Sequence, residues 1–460
     1  MSKISAPDHS IKMAVIGAGF TSASLICQLL EAGYAHEDIM IIGKGVLGHG
    51  HAYGTHNPAY RLNVSADLQS LRAQREETGG DSAFKEWAKT HCPDDDKAYA
   101  EQGIFYQRQD FARYVSEELE NVNASAITHI KEDVTSLALM DPKDDASDWM
   151  ITTEKGMRMK ASYLLLATGN GTPRLTFSVS PQAQAHDKLI TSPWAGDFYN
   201  RLLDGAPHHI TIIGGGLSAL DILMGLDEAD YGGMISLITP VGMLPPVQSL
   251  WQIERQLAPF PDKVTAASFI HHIRSHLKQA GHWESPQWQS RFEEIRLSLN
   301  DGWCALSQTD KQRVMARFGK WWSLARYRAA PQAINLARSL IEEKRLSVIK
   351  DRVQHITVTR GDFVLTGVND AQYITQGLIN ASGTTTPRLI TDMIEQGLAA
   401  PDDFAQSVAV NQDNQIIRPD GRAYQSCFLF GPGTAASLGD VVGAYSIAKQ
   451  IQKIVKKFNF

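Results

Sequence analysis

The sequence predicts an α/β chain with two Rossmann-like dinucleotide-binding domains, a two-dinucleotide-binding flavoprotein architecture with a helical insertion. Two glycine turns and the strands before them predict it. Val15-Ile16-Gly17-Ala18-Gly19-Phe20-Thr21-Ser22 follows one β-branched run, and Ile212-Ile213-Gly214-Gly215-Gly216-Leu217-Ser218-Ala219 follows another. Each leads into an apolar, helix-like segment. In such a turn the first glycine makes the bend and the second lets backbone approach a pyrophosphate. The helix N-terminus then offers unpaired N–H groups to the anion. Two turns in one chain imply two nucleotides, and a flavin with a nicotinamide cofactor is the usual pair because they exchange a hydride.

The bulk properties agree with such a chain. Its 460 residues make roughly three domain-sized units. A hydrophobic content of 43% with 20% charged residues is that of an ordinary globular protein. The net charge of -6 leaves no electrostatic footprint for nucleic acid or an anionic membrane. Cys27, Cys92, Cys304 and Cys427 are scattered, with no Cys-x-x-Cys. That argues against a disulfide-reductase flavoenzyme and fits a reducing compartment. The N-terminus lacks a basic region followed by an apolar core, and no apolar run reaches the roughly 20 residues that cross a bilayer. The expectation is a cytoplasmic protein that meets a small-molecule substrate, not a membrane or nucleic acid.

Residues 12–16 read as a fully buried strand, 20–33 as a helix ending at Gly33, and 38–42 as the next strand, so a βαβ unit begins the chain. A loop-rich stretch over 43–80 follows, then helices over 82–90 and 108–121. The polar run 141–148 reads as the tip of a β-ribbon between 133–140 and 149–153. Residues 161–167 form a buried strand that enters a turn at Thr168-Gly169. A second βαβ unit starts near His209, with its next strand at 234–238. From 250 to 344 the pattern is helical, with Ser285-Pro286 and Ala330-Pro331 placing proline in a first turn. Six of the nine tryptophans fall there, and core packing is the default reading of such a cluster. Strands resume at 354–366, 378–381 and 427–430, and a final helix begins near Asp440. These boundaries divide the chain into a first nucleotide domain of residues 1–195 plus 370–460. The second spans 196–369 and carries a helical subdomain at about 250–345.

Several positions depart from the dinucleotide fingerprint. Ser22 takes the third glycine position of the first turn. The strand end that normally supplies a ribose-binding carboxylate reads Ile42-Gly43-Lys44. Lys44 can bind a phosphate or hydroxyl but cannot accept from a 2′-hydroxyl. In the second turn Ala219 takes the third position, and the next strand ends Ile238-Thr239-Pro240. Thr239 can hydrogen-bond either form of the ribose, so the choice between NADH and NADPH stays open. Asp440 reads as an N-cap or as part of a helix N-terminus aimed at a flavin. Arg326 and Arg328, beside Trp321 and Trp322, can take a substrate carboxylate or cofactor phosphate, with surface ion pairs as the default. His49, His51 and His56 lack metal-ligand spacing, so no metal is expected. With no Gly-x-Ser-x-Gly elbow and no Gly-Lys-Ser/Thr loop, the chemistry should belong to the cofactor.

The chain resembles FAD/NAD(P)-binding oxidoreductases related to flavin-dependent monooxygenases. The resemblance rests on Gly17-Ala-Gly-Phe20, Gly48-His-Gly-His-Ala-Tyr53-Gly54-Thr55, Leu62-Asn63-Val64, Ala167-Thr-Gly-Asn170, Gly214-Gly-Gly-Leu217, Arg326-Tyr-Arg328 with Pro331, and Gly431-Pro432. The end of the chain, from Leu438-Gly-Asp440 to Ile451, is loosely similar to the C-terminal flavin segment of amino-acid N-hydroxylating monooxygenases. In those enzymes a glutamine near the flavin lies in a segment resembling Asp67-Leu68-Gln69-Ser70-Leu71. The relatives usually carry Glu where Gly43 stands, and the Phe-x-Gly-x-x-x-His signature of Baeyer–Villiger enzymes is missing here.

The resemblance implies FAD at Gly17, Ala18, Gly19, Phe20, Thr21 and Ser22, with Gly43, Lys44, Val134, Thr168, Gly169 and Gly431 around it. It implies NADPH or NADH at Gly214, Gly216, Leu217, Ser218, Ala219 and Thr239. Gln69 and Asp440 would flank the flavin as catalytic residues, and Arg326 and Arg328 would bind a substrate covered by the 250–345 segment. The implied activity is that of an NAD(P)H-dependent FAD monooxygenase that N-hydroxylates a small amine or amino acid. A flavin dehydrogenase or reductase with a non-oxygen acceptor stays open at this point. So does a degenerate nucleotide-binding partner protein.

Overall fold

Apolar runs buried on both faces are the mark of parallel strands covered by helices. Residues 13–16 and Ile39–Ile42 are such runs, and they pair in parallel from Met13 opposite Ile39 to Ile16 opposite Ile42. The computed structural model describes residues 9–72, 82–194, 198–253, 257–261 and 263–458. Within them, the first sheet runs in the order Gln415–Ile417, Ala423–Leu429, Arg158–Leu166, His9–Ile16, Ile39–Ile42 and Thr128–Ile130. A ribbon of Val134–Leu139 and Trp149–Thr153 joins it through Arg158–Leu166, with the polar run 141–148 at its tip. The second sheet is parallel throughout, in the order Leu189–Ile190, Gly377–Asn380, His209–Ile213, Met234–Thr239 and Leu346–Lys350. A four-stranded sheet of Gln372–Thr375, Asp362–Gly367, Val353–Thr359 and Ser178–Val179 shares a core with it.

The architecture is the expected one, two Rossmann-like units, but the division between them moves. The sequence division puts residues up to 195 and from 370 in the first unit, whereas Leu189–Ile190 and Gly377–Asn380 complete the second sheet. The cause is a repeated strand-end bond. Ala381 N–H donates to the Ile213 carbonyl at 2.8 Å, as Ala167 N–H donates to that of Ile16 at 2.8 Å. The expected boundary at 195–196 lies outside the described residues.

The helical stretch holds Ala266–Leu277, Pro286–Cys304, Gln308–Arg326 and Pro331–Glu342. Thr265, Ser285 and Ser307 start the first three by accepting a first-turn N–H on their hydroxyls. Pro331–Glu342 is the crossover from Met234–Thr239 to Leu346–Lys350 and packs on Leu217–Glu228. The cover is therefore the three helices before it. Trp303 lies in their shared core with Phe269 and Leu299, while Trp321 is 61% exposed. Among the described residues, no helix is long and apolar enough to cross a membrane.

A side chain at Gly214 would overlap the Ala381 carbonyl oxygen and put its Cβ 2.7 Å from the carbonyl carbon, at φ +130°. Gly214→Ala should therefore lower stability by about 1–3 kcal/mol, read from the urea midpoint. An unchanged midpoint would mean that the turn is not built on this contact.

Candidate functional site

The carboxyl ends of both parallel sheets meet their glycine turns, and that edge is where open α/β sheets take ligands. Gly17, at φ +119°, donates its N–H to the Ile42 carbonyl at 2.8 Å. A Cβ there would overlap the Ala167 carbonyl oxygen and lie 2.9 Å from the carbonyl carbon. Gly214 repeats the arrangement, donating to Ile238 at 2.9 Å. Gly19 caps the Phe20–Glu31 helix and Gly216 caps Leu217–Glu228, both without a side-chain hydrogen bond. No side chain competes for the first-turn N–H groups, which suits an anion. Ser22 has a structural reason to replace the third glycine: its hydroxyl donates to the Gly17 carbonyl at 2.8 Å and braces the bend. The Phe20 ring turns into the core, 5.8 Å from the Tyr53 and Phe111 ring centres, so only its backbone faces the turn. Ala219 is fully buried under the second turn.

Gly43 and Thr239 occupy matching places one residue after Ile42 and Ile238. A Cβ at Gly43 would sit 2.8 Å from the Gly17 carbonyl carbon and 2.9 Å from the Ala18 nitrogen. In the second unit, Gly215 replaces Ala18, and the Thr239 side chain fills the space, its Cβ 2.9 Å from where a Gly215 Cβ would stand. At Gly43 the obstacle is the backbone of the turn, whereas at Gly215 it is the Thr239 side chain. The missing carboxylate at residue 43 is thus a packing consequence. The Lys44 ammonium pairs with Asp133 at 2.8 Å and Glu154 at 2.7 Å. Val134 follows Asp133 at the start of its strand, and Gly43 N–H donates to Ile130 at 2.9 Å, so these segments meet at the strand end.

Thr168 and Gly169 line a cavity of about 400 Å³ together with Asn170, Arg174, Thr385, Asp402, Gln406, Pro432 and Ala436. Gly431, at φ +83°, donates its N–H to Gln450 Oε1 at 2.9 Å. A Cβ at Gly431 would lie 2.8 Å from the Thr21 hydroxyl, so this turn seats directly on the start of the first helix. The fold thereby gathers residues 17–22, 168–169 and 431. Sequence reasoning missed Asp402 and Arg174. Asp402 is buried, burial pushes its carboxyl up, and its Oδ2 has no partner. Nothing in its loop sequence signals that position.

Gln69 is 5% exposed, and its Oε1 also lacks a partner. Its segment is tied to the first helix, because the Leu71 carbonyl accepts from Ser24 Oγ at 2.7 Å and Gln28 Nε2 at 3.3 Å. Unclaimed helix N-termini, a cavity at the strand ends and a buried acceptor together fit a dinucleotide at the first turn.

Asp440 is not an N-cap, since Gly443 precedes the Ala444–Val455 helix. Its carboxylate instead accepts from Arg326 Nε at 2.8 and 3.0 Å and from Arg296 Nε. Arg328 bonds Glu293 and donates to Gln248 Oε1 at 3.2 Å, while its Nη1 has no partner. Arg326 and Arg328 are therefore held in a buried cluster rather than in surface ion pairs. Burial pushes the Asp440 and Glu293 carboxyls up, but the neighbouring arginines outweigh it and hold both below the usual carboxylate range. His49 Nε2 lies 3.0 Å from Ser116 Oγ, and among the described residues no three His, Cys, Asp or Glu side chains form a metal cluster. Cys27, Cys92 and Cys427 are buried, and burial pushes the Cys27 and Cys92 thiols up to about 12, far from reactive thiolates.

These features define a fold of two Rossmann-like dinucleotide-binding units. A family model described as FAD-NAD(P)-binding matches residues 14–171. The fold is similar to that of the ornithine N-hydroxylase of Kutzneria sp. 744, whose structure holds reduced FAD, NADP+ and L-ornithine. That likeness has 16% identity and a TM-score of 0.63, covering 97% of this chain and 98% of that one. A cadaverine monooxygenase of Erwinia amylovora, bound to FAD, gives 15% identity and 0.63 over 97% and 94%. A bacillithiol disulfide reductase of Staphylococcus aureus gives 13% and 0.54 over 98% of both chains. No curated protein matches the sequence.

Two outcomes follow from the geometry. Gly43→Glu should lower the melting temperature, because its Cβ meets backbone on two sides; an unchanged melting temperature would refute the packing explanation. The lowered Asp440 carboxyl contributes stability that is present above the ordinary carboxylate range and lost as pH falls through its lowered value. Asp440→Asn should cost about 3–5 kcal/mol at pH 7 by leaving buried arginine charge unmatched, and its penalty should shrink in acid. Denaturant curves from pH 7 down to pH 3 measure both.

Proposed function

We propose that this chain is an FAD-dependent, NAD(P)H-using oxidoreductase, a flavin monooxygenase that N-hydroxylates a small amine or amino-acid-like substrate. The observation that carries the reading is the matched pair of glycine turns, one on each sheet, in a fold like that of an ornithine N-hydroxylase over 97% of the chain. FAD, when bound, takes a hydride from the nicotinamide and activates oxygen, chemistry that no side chain here supplies. The N–H groups opening the Phe20–Glu31 helix hold its pyrophosphate, with the Val134 backbone beside the adenine and Thr168, Gly169 and Gly431 along the edge. Gly43 brings no charge to the ribose, so backbone provides the grip. Gly214, Gly216, Leu217, Ser218 and Ala219 hold the nicotinamide dinucleotide in the same way, and Thr239 borders its ribose.

Gln69 offers its buried Oε1 as an acceptor beside the flavin. Asp440, neutralised by Arg296 and Arg326, orders the segment that leads into the last helix. Arg328 Nη1 is the donor left for an anionic substrate group. The helices from Ala266 to Arg326 cover the substrate and exclude water, which protects reactive species from wasteful decay. Buried free thiols fit a cytoplasmic setting.

The test is the absorption spectrum of the purified protein before and after NADPH, followed by NADPH oxidation with a panel of amines and amino acids. Flavin bands that NADPH bleaches without air, and oxidation that rises with one substrate class, are expected. Stoichiometric peroxide with every amine would count against the monooxygenase, and turnover only with an organic acceptor would favour a flavin dehydrogenase or reductase. A colourless protein that gains no thermal stability from FAD would overturn both.

A further inference from the structure

The segment 59–62 joins the two units: its backbone and the Arg61 and Leu62 side chains pack in the first, and the Ala59 and Tyr60 side chains enter the second. Leu62 N–H donates to Tyr106 at 3.0 Å, and Arg108 N–H donates to the Tyr60 carbonyl at 2.9 Å. The Arg61 guanidinium bonds Asp95 and the Phe105 carbonyl, each at 2.9 Å, and Leu62 enters the first core. Ala59 and Tyr60 instead lie in the second core, with Tyr199, Leu202 and Leu220. The Tyr60 and Tyr199 hydroxyls are 2.7 Å apart, and Tyr199 also donates to the Ile222 carbonyl at 3.4 Å. Gly225 of the Leu217–Glu228 helix stands where a Cβ would overlap the Tyr199 hydroxyl. One turn earlier on that helix, buried Asp221 accepts from Arg108 Nη2 at 2.7 Å. Arg108 is fixed in turn by the Arg61 and Ala52 carbonyls, both at 3.2 Å.

Domain contacts within a chain ordinarily permit relative motion unless they are well buried. Here the helix that opens at the second glycine turn is held twice from the first unit, by a buried tyrosine and by a buried charge pair. The Asp221 carboxylate, left alone, would also oppose an anion at that helix N-terminus, and Arg108 cancels it. We propose that Tyr60, Arg108 and Asp221 form an interdomain clamp that sets the nicotinamide against the flavin, and that they are positioning residues for hydride transfer. This rests on the two-nucleotide reading above. Hydride donor and acceptor must approach to about 3–3.5 Å, so a small rotation of the second unit slows transfer steeply while leaving both nucleotides bound.

The experiment is anaerobic stopped-flow reduction of the FAD-loaded protein by NADPH, with hydrogen exchange on the same samples. Tyr60→Phe, Asp221→Asn and the double variant Arg108→Gln/Asp221→Asn are compared with the unchanged chain. Asp221→Asn should cut the limiting reduction rate about tenfold with FAD content unchanged and a smaller change in the NADPH concentration for half-saturation. The double variant removes both buried charges, so it should regain melting temperature but stay slow. A double variant that recovers both would mark the pair as merely structural and overturn the positioning role. Amides of the Leu217–Glu228 helix should exchange faster in Tyr60→Phe and Asp221→Asn, and unchanged exchange would overturn the clamp. Failure of the unchanged protein to be reduced would instead count against the proposed function, with the exchange result still deciding the clamp.

Discussion

At Gly17 the backbone touches two strand ends at once, and the rest of the candidate site depends on that close approach. Ala167 closes on one side and Gly43 on the other, leaving no room for a Cβ at either glycine. The approach sets the direction of the Phe20–Glu31 helix and so where its N-terminus points. Ser22 holds the bend from within, and the Gly431 turn then seats on Thr21. A residue far along the chain, at the end of Ala423–Leu429, is thereby delivered to the first turn. In the second unit the matching strand end keeps a side chain, and Gly215 makes room for Thr239.

Charge organises the other half of the molecule. Arg296, Arg326 and Arg328 carry more positive charge than Glu293 and Asp440 can cancel, in a region where unmatched charge is costly. Arg326 and Arg296, from two helices of the cover, converge on the Asp440 segment, so the cover and the C-terminal helix are positioned together. Between the two sheets the same logic recurs at Arg108 and Asp221, reinforced by the tyrosine pair. Backbone sterics form each nucleotide turn, and buried ion pairs hold the pieces around it.

Much of the fold was legible in the sequence because its signals are local. The Arg108–Asn121 helix and the 141–148 ribbon tip stand where periodicity and turn residues place them. What failed was non-local. Gly377–Asn380 reads as any buried strand, and only its pairing with His209–Ile213 assigns it to the second sheet. Asp440 looks like a cap because Leu438-Gly439-Asp440 resembles a helix entry, yet its partners come from residues 296 and 326. The absence of an acid at Gly43 was visible, and its cause was not, since it lies in a contact across the turn.

The central claim is that the two glycine turns hold two different dinucleotides at once. Calorimetric titration of flavin-free protein with FAD, then with NADP+, tests it most directly. One equivalent of FAD followed by one equivalent of NADP+, with neither displacing the other, is predicted. Competition between the two, or a single equivalent in total, would contradict it.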